Sequence, residues 1–111
     1  MIDEPTFRRV SDQALETLKQ SLFRAEEEGG FEAEEKNGVL NVLFEDESAK
    51  FVFTPQTPVR QIWISARSTS FKLEWSADTN TFILAKTGES LLPLTERLLQ
   101  EHLGDESIRL K

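Results

Sequence analysis

Apolar residues recur at steps of three and four over the first quarter of the chain. Phe7, Val10, Ala14, Leu18, Leu22 and Ala25 form one stripe. A 3.6-residue repeat gathers these positions on one side of a helix and leaves Asp12, Glu16 and Lys19 facing water. Pro5 falls where a helix tolerates a missing N–H, and Gly29-Gly30 predicts the helix end. At Phe31 the period drops to two. Phe31 and Ala33 alternate with Glu32 and Glu34, and Asn37-Gly38 follows, a two-residue hairpin signal. Val39–Phe44 then places Leu40, Val42 and Phe44 on one face. A turn at Glu45-Asp46-Glu47 precedes a strand over 50–54, and a Pro-bounded connection over 54–58 leads to a strand over 60–66. Strands over 71–75 and 81–85 complete a set of five to six.

A second helix closes the chain. Ser90 is its N-cap, Pro93 lies in the first turn, and Gly104 stops it. Leu91, Leu94 and Leu98 make one row and Leu92, Leu99 and Leu103 another, so the apolar face is broad. Ile108 and Leu110 are placed to dock back on the core. Helix, meander, helix predicts an α+β two-layer α-β sandwich, with the N- and C-terminal helices packed on one face of an antiparallel sheet. No linker or internal repeat divides it, so residues 1–111 read as a single domain.

The strand over 60–66 is the most informative segment. If Ile62, Ile64 and Ala66 are buried, Gln61, Trp63 and Ser65 lie on the open face. Trp63 there is either an anchor for a partner or an indole packed on its cross-strand neighbours and the stem of Lys72. Trp75 shares parity with Phe71 and Leu73 and reads as core.

Composition narrows the chemistry. The 111 residues carry 20 acids, 13 bases, one His and no Cys, for a net charge of −7. Thiol catalysis, disulfides and thiolate metal ligation by this chain are excluded. Acidity disfavours nucleic acid and anionic membranes, and no apolar run reaches the length of a membrane span. A cytoplasmic location is the expectation. The acid is also localised. Residues 1–36 hold ten acids against five bases, and Ser48–Leu73 hold none. Glu32 and Glu34 project to one side of a strand, and Glu26-Glu27-Glu28 lie at the helix end. Each of these three glutamates alone reads best as solvated, whereas the cluster reads as a weak, oxygen-donor cation site or a docking surface for a basic protein. His102 falls on the flank of the last helix, with no nucleophile or second imidazole at a useful spacing, so no catalytic residue is assigned and the chain is read as a non-enzyme.

Gln56-Thr57-Pro58-Val59-Arg60-Gln61-Ile62-Trp63-Ile64-Ser65 resembles the sheet signature of the frataxin family, in particular its short bacterial CyaY-type members. The hairpin over 37–42, the stretch over 87–90 and Phe7–Asp12 also fit, so the resemblance runs nearly the whole chain. It implies an iron-binding accessory or regulatory protein of iron–sulfur cluster assembly, docking on a cysteine desulfurase and an iron–sulfur scaffold protein. By position it implies iron (Fe2+/Fe3+) held weakly at Asp12, Glu26, Glu28, Glu32 and Glu34, with Glu16 and Glu27 added, and partner contacts at Gln56, Gln61, Trp63 and Lys72. A monomer is implied, with iron-dependent oligomers as a further state. Lys19, Gln20, Phe23 and Arg24 stand where relatives are often acidic, Arg8 where they carry His and Thr54 where they carry Asn. Two other classes fit a small acidic α/β chain: a secretion-type chaperone and an iron-storing ferroxidase.

Overall fold

The computed structural model describes residues 2–27, 30–45, 50–66 and 69–110. Helix α1 (Glu4–Ala25) is followed by strands β1 (Phe31–Lys36), β2 (Val39–Phe44), β3 (Lys50–Gln56), β4 (Gln61–Ala66), β5 (Thr69–Ser76) and β6 (Thr81–Ile83), and by helix α2 (Leu91–Leu103). The six strands form one antiparallel sheet in sequence order, β1 to β6. Both helices cover one face of it, as the alternation predicts.

The core forms where the two periods meet. Phe7, Leu18 and Leu22 of α1 and Leu94 and Leu99 of α2 are fully buried against Val42, Phe51, Phe53, Ile62, Ile64, Leu73 and Phe82. Phe7 meets Phe82 edge-on at 5.9 Å, which ties the first helix to the last strand. Leu15, absent from the predicted stripe, is also buried, and Ala14 only partly so. Trp75 is half-buried at the rim, with its ring on Phe82 at 5.2 Å.

Two local devices set the strands, and a third pins the C-terminal tail to α2. Asn37 and Gly38 both take positive φ (55° and 79°), as a type I′ turn between right-twisted strands requires. A one-turn 3-10 helix, Thr57–Val59, links β3 to β4 and ends on Arg60 in the left-handed region. The Arg60 guanidinium is spent holding this turn, donating to the Thr57 and Ile2 carbonyl oxygens. At the far end, Ile108 and Leu110 are buried as expected; Gln100 donates to the Ile108 carbonyl (2.8 Å) and the Leu110 N–H to Glu96 (2.9 Å).

Several boundaries differ from expectation. α1 ends at Ala25, not at Gly29-Gly30: the apolar stripe stops there, and Glu26 caps the last turn by donating its N–H to the Leu22 carbonyl (2.8 Å). Gly29 lies outside the described residues, as do Asp46 and Glu47 of the turn predicted after β2. β3 runs through Pro55 to Gln56. Pro55 is tolerated because β2 pairs β3 only as far as Phe53, so this end of β3 has a neighbour on one side alone. β6 stops at Ile83, where the backbone turns back: Leu84 N–H bonds the Glu89 carbonyl and Gly88 N–H the Leu84 carbonyl. Ser90 takes the extended N-cap backbone, but its side chain makes no capping bond.

Candidate functional site

Two surfaces carry the candidate residues: the acidic rim along α1 and β1, and the open face of the sheet.

On the rim, the helix period leaves Asp12 and Glu16 exposed along α1, bordering a shallow depression with Gln13 and Thr17. Lys19 does not extend into water as its place off the stripe suggests. Its side chain is only 17% exposed, and its ammonium bridges Glu16 (3.1 Å) and Glu35 (3.2 Å). Hydrogen bonds to both carboxylates hold Lys19 above the ordinary lysine value. Bonds from Gln20 and Lys19 hold the Glu16 carboxyl below the ordinary glutamate value. An internal cation thus neutralises part of the rim. Glu35, which the sequence reading leaves out of the acidic set, joins it because strand parity turns it toward the helix layer, with Phe31 and Ala33.

Glu26 is also committed. Its Oε2 accepts the Ala33 N–H at 2.9 Å, linking the end of α1 to β1. Glu27 is exposed, and Glu28 lies outside the described residues. Glu32 and Glu34 are exposed with parity opposite to Phe31 and Ala33, so they belong to the open face and not to the helix side. The expected ridge is therefore split around the sheet edge. Among the described residues no three acidic, His or Cys side chains converge on a point that could hold one ion. The donors are hard oxygens, spread out and partly paired, which suits a diffuse and exchangeable cation hold and not a cage.

The open face is built by the other strand parity. Trp63 lies opposite Thr54 on β3 and Lys72 on β5, and Gln61 opposite Gln56 and Glu74. Trp63 is half-buried: its indole N–H donates to Gln61 Oε1 at 2.7 Å, and the Lys72 ammonium lies 4.9 Å from its ring centroid. Gln61 in turn donates through Nε2 to Glu74 (3.4 Å). The structure brings Gln56, Gln61, Trp63 and Lys72 together as one patch. Sequence reasoning omitted the aliphatics that extend it. Val39, Leu43 and Val52 are half-buried on the same side, at positions that strand alternation assigns to that face.

His102, on the flank of α2, is half-buried, with its ring tilted against Phe44 at 4.1 Å and edge-on to Phe51 at 5.6 Å. No helix among the described residues is long and apolar enough to cross a membrane.

The chain as a whole has known counterparts. An iron-sulfur cluster assembly protein CyaY of Pseudomonas putida F1 is 31% identical over 107 residues, covering 95% of this chain and 93% of that protein. The protein of the same description from Azotobacter vinelandii is 30% identical over 96 residues, covering 85% and 86%. A frataxin structure from Psychromonas ingrahamii superposes with a TM-score of 0.81 over 99% of this chain and 97% of that one, at 13% identity, and shares the fold. The family model of the frataxin-like domain matches residues 1–105. The chain belongs to the frataxin-like family.

Proposed function

We propose that this protein is an accessory and regulatory component of iron–sulfur cluster assembly that docks on a cysteine desulfurase–scaffold complex and is not itself an enzyme. The observation that carries this reading is the open-face patch. An indole with its N–H already satisfied by Gln61 and Lys72 over its ring, on the same sheet face as the half-buried Val52 of β3 and Val39 and Leu43 of β2, presents a pre-ordered, partly apolar surface with charged neighbours. Such a patch forms a contact at low entropic cost, because its centre is fixed before the partner arrives. Support also comes from family membership and from the iron–sulfur assembly names of relatives near 30% identity.

The exposed carboxylates play the electrostatic part. Asp12 and Glu27 on the rim, with Glu32 and Glu34 at the edge of the open face, give a basic partner long-range attraction and give iron, as cargo, weak and labile carboxylate sites. The working state is a cytoplasmic monomer. The test is a pull-down with purified desulfurase and scaffold. Trp63→Ala removes the anchor, and Glu32→Lys with Glu34→Lys reverses the charge at the β1 edge of the open face. Each is expected to weaken capture; capture unchanged by both would refute the reading.

A further inference from the structure

β1 is an edge strand, and among the described residues no strand lies beside the row of backbone groups on its outer side. The orientation of that row follows from two bonds. Gly30 C=O accepts the Glu45 N–H, so at even positions the backbone of β1 faces β2. Ala33 N–H is reached by Glu26 from outside the sheet, so odd positions face outward. Phe31, Ala33 and Glu35 therefore supply the outer row, with Ala33 at its middle. Exposed edges of this kind add strands from other chains unless something blocks them.

We propose that the outer edge of β1 is a self-association surface for a second copy of this chain, and that the Glu26 carboxylate is the guard that keeps it shut. The guard is local and well held. Glu26 is positioned by its own capping bond at the end of α1, and a carboxylate accepting a backbone N–H makes a strong, charge-assisted bond. While it stands there, an incoming strand finds the central donor of the edge occupied and a side chain lying across its path.

The charge pattern of β1 selects the occupant and the register. In an antiparallel pair of two β1 strands related by a twofold axis at Glu34, Ala33 exchanges both backbone bonds with Glu35 of the second copy, and Glu35 with its Ala33. On the open face the same register sets Glu32 opposite Lys36 of the second copy, and Lys36 opposite its Glu32. Only Glu34 meets its own like charge. Shifting the axis by one residue to Ala33 sets Glu32 against Glu34 twice, which like-charge repulsion disfavours. Shifting the axis the other way, to Glu35, sets Glu34 against Lys36 twice but pairs Ala33 with Asn37, which lies in the turn beyond β1, so of the charge-complementary registers the one centred on Glu34 is the one that pairs within the strand the N–H that Glu26 covers.

The test is sedimentation equilibrium of the wild type, Glu26→Ala, Glu26→Gln and Glu26→Ala/Lys36→Glu, with far-UV circular dichroism to confirm folding. Glu26→Ala is expected to self-associate about tenfold or more tightly than the wild type, since two guards are lost per dimer. Glu26→Gln keeps a carbonyl acceptor and is expected to stay monomeric. Glu26→Ala/Lys36→Glu is expected to return to monomer. A folded Glu26→Ala that remains monomeric at millimolar concentration overturns the proposal, and so does a dimer indifferent to Lys36→Glu. Amide exchange of dilute protein gives a reading that needs no dimer. The Ala33 N–H is expected to exchange about tenfold faster in Glu26→Ala than in the wild type and to stay slow in Glu26→Gln. Equal Ala33 rates in wild type and Glu26→Ala would show that no guard exists.

Discussion

Glu89 and Arg97 meet side-on, with Nε to Oε2 at 2.7 Å and Nη2 to Oε1 at 2.9 Å, so the turn that precedes α2 is clamped to the helix it introduces. Glu101 takes the remaining edge of the guanidinium at 3.0 Å, and the Thr87 hydroxyl donates to Glu89. The clamp explains why this turn is ordered although Ser90 makes no capping bond. The bonds from Arg97 hold the Glu89 carboxyl below its ordinary range. A carboxyl with a depressed folded pKa contributes stability that is present above its unfolded pKa and lost as pH falls through the folded one. Because Arg97 is 41% exposed, the pair is worth no more than about 1 kcal/mol. Urea melts at pH 7 should show Glu89→Gln less stable than wild type by about that amount, with the gap closing below roughly pH 4.

The C-terminal segment lies beyond the family match at residue 105, yet it completes the core. Ile108 is 3% exposed and Leu110 9%. Ile108→Ala should cost about 2–4 kcal/mol by chemical denaturation, as for a buried aliphatic side chain that leaves a cavity. Gln100→Ala removes only the polar strap to Ile108 and should cost about 1 kcal/mol. If the two variants were equally mild, the tail would not be part of the cooperative unit.

The elements were legible in the sequence because periodicity reports burial directly. Phe31 and Ala33 against Glu32 and Glu34, or Ile62 and Ile64 against Trp63, can be sorted by parity without coordinates. The ends of elements were harder to place. α1 stops at Ala25 as Glu26 donates its N–H back to Leu22 and its carboxylate accepts the N–H of Ala33, seven positions on, and extending β3 through Pro55 depends on how far β2 reaches. The open-face patch followed from parity, whereas the acidic rim did not resolve in the same way. Sequence proximity placed Glu26 beside Glu32 and Glu34, but the parity that buries Phe31 and Ala33 turns both strand glutamates to the face opposite the helices, and Glu26 is bonded to backbone. Lys19 sits off the apolar stripe, and nothing local shows that Glu35, sixteen residues on, folds over to meet it.

That bridge makes Lys19 a tuning residue for the rim. Its ammonium lies 3.1 Å from Glu16 and 3.2 Å from Glu35, so it competes with any cation for both carboxylates. Lys19→Ala should tighten binding of Mn2+ or anaerobic Fe2+ by roughly two- to fivefold in calorimetry, the scale of one exposed ion pair. Lys19→Glu should do more, and both effects should shrink as salt is raised. Unchanged affinity in Lys19→Glu would mean that cations bind elsewhere on the chain.

His102 lies over the Phe44 and Phe51 rings, which are themselves edge-on at 4.9 Å. Its place in the last turn of α2 would make a metal-binding imidazole costly, since turning the ring outward uncovers two core aromatics. His102→Ala should therefore lower stability by about 1–2 kcal/mol, the aromatic contact plus its buried area. His102→Phe should recover the part of that loss that comes from the ring contacts, because Phe44 and Phe51 meet a flat ring. Cation affinity, measured on the same three proteins, should be identical. A drop in cation affinity in His102→Phe, with stability intact, would place an imidazole ligand in the site and contradict a rim made of carboxylates.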